Sequence, residues 1–506
     1  METFSNEVLV RKIVQGEKMK ISARANGLAK KLVGKLDQLT QPVDPEVRQY
    51  MDQRWESLPE HLKTDSQVLG RHAVGCEGTH GVFPRCNFAC TPCYHSKDAN
   101  FVRVDGQHTT TEIERQLSFL RKNRGPKAHI QLIGGEVSLL EPDDHAKALQ
   151  IMRSYGREPM SFTHGDFDYD YLEKLVLDAS GKVRLKRISF AGHFDTTMRG
   201  RKGIVVPKDE RSLDPYRAEF ADKFKRLRKE HGIRYYLAHN MTVTPKNVDR
   251  IPELLANNIK AGYNMFSFQP AAFVGNDKRW KEDYSSLDPD NIWALMEKGA
   301  GANLDYKILQ TGDERCNRTA FGFYIYDKWL PVLSSKDPRD IFARDLFYKY
   351  LGGVNYNSKI WDLLPRLLRV AITHPVTVKE AVAWLGRQIH RSGGTWTVIR
   401  AVATKNFIPM TFVMHRFMNA EDVKVAWDLM ERGIDSEEPT IKETQERLRG
   451  CFYAMAHPED GRVVPACVQH SVLDPDENIA LSQLLPLPRR LERRDANAAK
   501  SGATHD

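Results

Sequence analysis

Two periodicities divide the chain. Between about residues 80 and 275, short apolar runs alternate with stretches in which apolar side chains return every three or four positions. A continuous short run suits a strand buried on both faces, and the longer period suits an amphipathic helix, so the alternation predicts repeated strand–helix units around a mainly parallel sheet. The first strand is placed at HGVFPR (80–85), followed by a helix with Thr111 and Glu114 as a capping box and Ile113, Leu117 and Leu120 on one face. HIQLI (129–133) ends at Gly134, and its helix, from about Asp144 to Tyr155, stops at Gly156. PMSFT (159–163) ends near His164, and a helix from about Tyr171 to Leu177 leads to KRISFA (186–191). Asp214, Pro215 and Gly232 bracket a helix carrying Phe220, Phe224 and Leu227 on one side. IRYYLAHNMTV (233–243), a helix from about Val248 to Ile259 and MFSFQ (265–269) complete the series.

Six units are too few for a closed eight-stranded barrel and enough for an open one. The expected fold class is therefore α/β: an open partial (β/α)6 TIM-like barrel with an N-terminal helical arm and a mainly helical C-terminal domain. The arm takes residues 1–70, where Leu28, Leu32, Leu36 and Leu39 recur among Lys30, Lys31 and Lys35; the barrel takes 71–300 and the C-terminal domain 301–485. The polar tail, 486–506, is expected to be disordered. Between Trp361 and Met418, Leu363, Leu364, Leu367, Leu368, Trp384 and Leu385 sit among Arg366, Arg369, Arg387 and Arg391. Such helices can lie on a membrane surface or bind an apolar substrate, but ordinary core-facing packing is expected.

Composition narrows the class. The 506 residues are 41% hydrophobic and 28% charged, an ordinary globular balance. METFSNEVLVRKIV lacks the apolar core of a signal peptide and no run is long enough to span a bilayer, so a cytoplasmic protein is expected, with peripheral membrane contact as the variant reading. Seven cysteines, an odd number with three clustered, fit reduced thiols and metal binding better than a disulfide framework. The net charge of +9 is partly carried by KKLVGK around Lys30 and LPRRLERR around Arg489. Without an RNA-recognition or zinc-finger signature it reads as a solvated basic face, and nucleic acid is not the expected partner.

Candidate chemistry falls at strand ends, where parallel barrels gather their reactive groups. Cys86, Cys90 and Cys93 lie in RCNFACTPCYHS, a spacing that lets three thiolates meet on one iron–sulfur cluster while one iron keeps an open position. A structural zinc site completed by His95 is the alternative. Gly134 and Gly135 carry no Cβ and allow close backbone approach to a ligand, or else form a tight turn, and Glu136 can accept hydrogen bonds from a cationic amine. His164, Asp166, Asp168, His193 and Asp195 could bind substrate or relay protons, or simply cap turns, and His239-Asn240 is a further polar pair on the fifth strand. Cys76, Cys316, Cys451 and Cys467 would suffice for a second cluster. Cys451 and Cys467 bracket a hairpin-like stretch turning at Asp460-Gly461, while buried free thiols are the alternative.

A Cys-x3-Cys-x2-Cys loop after the first strand, Gly-Gly-Glu after the second and six units in this order resemble the radical S-adenosylmethionine superfamily over roughly residues 76 to 280. The resemblance implies a 4Fe-4S cluster on Cys86, Cys90 and Cys93, with the amine and carboxylate of S-adenosylmethionine on the fourth iron. One electron would cleave the sulfonium to methionine and a 5′-deoxyadenosyl radical that abstracts hydrogen from an unactivated carbon. It further implies Gly134, Gly135 and Glu136 at the methionyl amine, Tyr94 near adenine, Ser189 and Asn240 at the ribose or carboxylate, and Gln269 to Gly275 lining the adenine pocket. Two positions depart from the family pattern: Pro92 replaces the bulky residue before the third cysteine, and Val137 replaces the proline after Gly-Gly-Glu. The implied partners are a reducing electron donor such as flavodoxin or ferredoxin and a small-molecule, lipid or peptide substrate. The cysteine loop and late hairpin loosely resemble radical enzymes that join lipid chains into membrane-spanning, tetraether-type lipids. A radical modifier of peptide or RNA is the alternative within enzymes. A non-catalytic metal-binding structural protein is the alternative outside them, and Glu136 argues against it.

Overall fold

The computed structural model describes residues 40–93, 97–125, 129–273, 287–354 and 360–487. After a first helix, α1 (Pro45–Glu56), six strands follow in chain order: β1 (Cys76–Gly78), β2 (His129–Leu132), β3 (Glu158–Thr163), β4 (Arg187–His193), β5 (Arg234–Val243) and β6 (Met265–Pro270). Each pairs in parallel with the next. The crossovers are α2 (Gly106–Arg124), α3 (Pro142–Ser154), α4 (Tyr169–Val176), α5 (Asp214–His231) and α6 (Ile251–Asn258). They pack on one face, where Ile113, Leu117 and Leu120 of α2 and Phe220 and Phe224 of α5 share an apolar layer with Leu132, Phe190, Leu237 and Phe266 of the strands. With one face covered by helices, the other becomes the inner surface of a curled sheet.

Two local expectations shift. The first strand is not HGVFPR but the three residues before it. Gly81 turns the chain at φ +64°, and Val82 and Phe83 are fully buried as loop anchors rather than ladder members, so their apolarity imitates a strand. Helix α2 starts upstream of Thr111 and Glu114, because Asp105 caps it by accepting from the His108 amide at 2.9 Å.

The region after β6 departs most from expectation. It holds α7 (Pro289–Ala300), β7 (Asn317–Ile325), β8 (Lys328–Pro331), α8 (Pro338–Leu351), α9 (Ile360–Thr373), α10 (Pro375–Arg391), α11 (Thr395–Ala403), β9 (Phe407–His415), α12 (Ala420–Glu431), α13 (Pro439–Arg449), β10 (Tyr453–His457), β11 (Arg462–Pro465) and α14 (Asp474–Leu484). It is not mainly helical apart from the sheet: its five strands belong to one eleven-stranded sheet ordered β11-β10-β1-β2-β3-β4-β5-β6-β9-β7-β8. β10 lies parallel to β1 and β9 parallel to β6, so eight parallel strands run side by side. The expected Asp460-Gly461 hairpin is present as β10–β11, with Gly461 at φ +69°.

Helices α9 to α11 meet expectation only in part, with Leu367 packed against Val43 and Val354 and Trp384 bonded to the Val332 carbonyl. Leu363 is buried, but Trp361, Leu364, Leu368 and Leu385 are exposed rather than core-facing. Among the described residues, no helix is long and apolar enough to cross a membrane. Leu28 to Leu39 of the arm and residues 488–506 of the tail lie outside the described residues. The tail's first residues are tied in, since the Leu487 amide donates to the Phe101 carbonyl at 3.2 Å.

Candidate active site

The cysteine loop leaves β1 and is fixed by backbone bonds from two sides. The Ala89 and Thr91 amides donate to the carbonyls of Arg199 and Thr197 beyond β4, both at 3.0 Å, and the Cys86 amide donates to Asn100 Oδ1 at 3.1 Å. On the other side the Gly135 and Glu136 amides donate to the carbonyls of Phe83 and Arg85 at 2.8 and 2.9 Å. This contact explains the two glycines. A Cβ on Gly135 would stand 2.0 Å from the Arg85 carbonyl oxygen, and one on Gly134 would stand 2.6 Å from the Phe83 ring. The close approach they permit is to the cysteine loop itself.

The three thiols face a common region. Burial first, then Glu136 and Cys93, pushes the Cys86 thiol up to about 12; burial followed by Cys93 and Cys86 pushes Cys90 up as well. Thiols arranged so that each opposes its neighbour's ionisation need a cation between them to hold negative charge. The Phe88 amide already points at Cys86 Sγ, 3.3 Å away, as amides do around cluster thiolates. The donor set therefore fits an iron–sulfur cluster. Tyr94 and His95 lie outside the described residues.

Glu136 is 1% exposed and bridges the exits of β2 and β3. Its carboxylate accepts from Thr163 Oγ1 at 2.6 Å, the His164 amide at 2.8 Å and the Ser138 amide at 2.9 Å. Because the Asp166 amide donates to His164 Nδ1, the proton of that ring sits on Nε2 and is donated to Asn87 Oδ1 at 2.8 Å. Burial lowers the His164 pKa, so the ring is neutral, and Phe88 stacks on it at 3.8 Å. Arg201 donates to the His164 carbonyl at 2.6 Å and lies 4.6 Å over the Phe194 ring.

After β4, Asp195 is fully buried. Burial opposes its ionisation, yet the His193 ring and bonds from Thr197 and the Thr242 amide hold its carboxyl at about 2. Asp195 thus ties the exits of β4 and β5. Ser189 and Asn240 lie on the inner face, because their neighbours Phe190 and His239 pack into the helical layer. His239 itself faces away from the mouth and accepts from Arg217 Nε at 3.0 Å, which corrects its reading as a strand-end group. Residues 274–286 lie outside the described residues, so Gln269 to Phe273 are what remains of the expected adenine segment.

Sequence reasoning passed over Asn87, Phe88 and Arg201 as individual contributors, while Thr163 was among the strand-end residues it singled out. Asn87 and Phe88 sit inside the cysteine motif, a signal that was available; Arg201 had none. At the exits of β6 and β9, a cleft of about 310 Å³ is lined by Phe273, Arg416, Asp422, Glu443 and Arg447 among others.

The other four cysteines come from separate segments. Cys316 precedes β7, Cys451 precedes β10, Cys467 follows β11, and these three lie within electrostatic reach of one another around Arg447, whose Nε donates to Cys316 Sγ at 3.1 Å. Cys76 pairs with Tyr453 in the sheet. Among the described residues, the only His, Cys, Asp or Glu group close enough to share a single ion is Glu173, Glu230 and His231.

No family model matches the chain and no curated protein matches it. Among solved structures the chain is similar to Streptococcus suis SuiB bound to S-adenosylmethionine, at 15% identity over 44% of this chain and 46% of that one, with a TM-score of 0.31. A second SuiB structure shows 14% identity over 58% and 56%, TM-score 0.30. Native anSMEcpe with bound AdoMet and Cp18Cys peptide shows 16% identity over 44% and 57%, TM-score 0.28. The chain spans about half the length of each of these proteins.

Proposed function

We propose that this chain is a radical S-adenosylmethionine enzyme in which Cys86, Cys90 and Cys93 hold a 4Fe-4S cluster. The observation that carries this reading is the cysteine trio at the β1 exit, locked by backbone bonds against Gly134-Gly135-Glu136 at the β2 exit. When bound, the cluster supplies one electron to S-adenosylmethionine, whose cleavage yields a radical able to take hydrogen from an unactivated carbon. The chain's own residues bind and orient. Glu136 has accepted three hydrogen bonds, and a carboxylate offers about four acceptor positions, which leaves one for an ammonium group. Neutral His164 keeps Asn87, and with it the cysteine loop, against the β3 exit. Ser189 and Asn240 offer polar groups on the inner face for ribose or carboxylate, and Tyr94 is assigned to adenine. The electron donor is of the flavodoxin or ferredoxin kind.

For the substrate, the cleft at the β6 and β9 exits favours a charged, peptide-like molecule over an alkyl chain. It is lined by the guanidiniums of Arg416 and Arg447 and the carboxylates of Asp422 and Glu443, of which Arg447 and Glu443 pair at 3.4 Å. Covering so polar a lining with an alkyl chain would cost its hydration without returning hydrogen bonds. Anaerobic reconstitution tests the main reading: about four irons per chain, a paramagnetic signal altered by S-adenosylmethionine, and 5′-deoxyadenosine formed with dithionite are expected. Zinc alone would overturn it, and a loaded cluster with no cleavage would point to the non-catalytic alternative. Mass spectrometry of copurifying material separates peptide from lipid and RNA.

A further inference from the structure

We propose that helices α9, α10 and α11 form a docking surface for an anionic lipid bilayer. Each carries an apolar stripe turned away from the protein. On α9 the stripe is Trp361, Leu364, Leu368 and Ile372; on α10 it is Val378, Val382 and Leu385; on α11 it is Trp396, Ile399 and Val402. The spacings of three and four residues keep each set on one side of its helix. Trp361 is 77%, Ile372 79% and Trp396 82% exposed, values unusual for side chains of this size.

The side that faces the protein is mixed: Leu363 and Val370 of α9 and Ala401 of α11 are buried there, beside polar anchors. Trp384 Nε1 and Gln388 Nε2 of α10 both donate to the Val332 carbonyl, at 2.8 and 2.9 Å, and Arg387 and Arg391 pair with buried Asp340 at 3.1 and 2.6 Å. On α9, Arg366 pairs with Asp44 at 2.8 Å. These helices therefore carry apolar side chains outward as well as inward, where an ordinary surface helix shows water its charges. The three helices contact one another in sequence, α9 with α10 and α10 with α11, so the stripes lie on one layer.

Charge selects the occupant. Of the seven Lys or Arg in residues 360–405, Arg366, Arg387 and Arg391 pair inward with carboxylates, while Lys379, Arg400 and Lys405 are exposed against one exposed carboxylate, Asp362. A second copy docking through the same patch would bring two cationic faces together, which disfavours a symmetric dimer. The N-terminal segment is an equally poor cover, since Lys30, Lys31 and Lys35 stand among its leucines. That segment meets the described structure at Thr40, whose hydroxyl accepts from Arg369 of α9 at 3.0 Å. Apolar stripes with tryptophan and exposed Lys379, Arg400 and Lys405 beside them, with no spanning helix among the described residues, suit an interfacial, monotopic contact. Anionic headgroups complement the charge, and the acyl boundary takes the side chains.

The test is flotation of the full-length chain with vesicles of phosphatidylcholine alone or phosphatidylcholine with phosphatidylglycerol, at low and high salt. Binding is expected to the anionic vesicles, weaker to the neutral ones, and to fall as salt rises. The double variant W361E/W396E should lower partitioning about tenfold or more while leaving the unfolding transition unchanged, because both side chains are exposed. A wild-type chain that stays unbound on anionic vesicles would overturn the proposal, as would a variant that binds equally well. A wild-type dimer in sedimentation that W361E/W396E converts to a monomer would overturn it in favour of a second copy.

Discussion

The two sets of cysteines in this chain teach opposite lessons about how a site is built. Cys86, Cys90 and Cys93 come from a single loop of eight residues, positioned mostly by backbone bonds, with amides of the loop donating to carbonyls of the turn after β4 and amides of the β2 exit donating back, and by the side chains of Asn100 and His164. Cys76, Cys316, Cys451 and Cys467 come from four segments and meet where the two ends of the sheet approach, with the His415 ring of β9 only 6.5 Å from Tyr453 of β10. There the polar partners are already supplied, Arg447 to Cys316 and the Tyr453 carbonyl to Cys451 at 3.0 Å. In the first set each thiol opposes its neighbours' ionisation, so holding thiolates there takes a cation; the second is tied into a packed junction of Tyr453, Met455, Leu448 and Val464.

The sharpest way to break this contrast is substitution at the thiols. Cys90→Ala should abolish cleavage of S-adenosylmethionine and the first cluster's spectrum, whereas Cys451→Ala should leave that spectrum intact. Retained cleavage in Cys90→Ala would show the wrong loop has been assigned. Iron counting sharpens the same point: about four irons make the junction all-protein, and about eight place a second cluster on its cysteines.

Next in size is Gly135→Ala. The added methyl meets the Arg85 carbonyl at 2.0 Å, so the β2 exit and the cysteine loop must part, at a cost of about 3 kcal/mol. Denaturant unfolding should show the loss, and iron content should fall with it. Arg447→Leu acts on the other region. It removes a charged hydrogen bond to Cys316 from a buried position, for a loss of about 2 kcal/mol in thermal unfolding with the first cluster's spectrum unchanged.

The smallest effect is a pH dependence. His80, in the loop after β1, lies 2.7 Å from Glu477 of α14 and bonds the Ala456 carbonyl of β10. Burial works against its charge, but Glu477 and these bonds outweigh it and raise the ring from 6.5 to about 9. A raised folded-state pKa contributes stability that is complete below about pH 6.5 and is lost as pH climbs through 9, on the order of 2 kcal/mol. Unfolding midpoints at pH 6.5, 8 and 9.5 should trace that loss, and His80→Gln should flatten it.

Much of the parallel sheet was legible because each unit is local. Phe220, Phe224 and Leu227 between Asp214 and Gly232 announce their helix without reference to anything distant, and HIQLI and MFSFQ announce their strands by apolarity alone. The cysteine trio was legible for the same reason, since its spacing is written in eight consecutive residues. The failures were also local: Val82 and Phe83 look like strand residues but anchor a loop, and Trp361, Leu364 and Leu368 look like a core stripe but face outward.

By itself, then, the chain's order of residues determined an alternation of strands and helices around a mainly parallel sheet and a loop whose spacing could gather three sulfurs, because hydrophobic period and motif spacing are properties of neighbours. Only the tertiary structure decided that β9 and β10 complete eight parallel strands, that Gly135 makes room for the Arg85 backbone, and that Cys316, Cys451 and Cys467 converge on Arg447. The physical reason is distance along the chain. Cys76 pairs with Tyr453 and Met265 with Thr411, and no local pattern records a partner that far away.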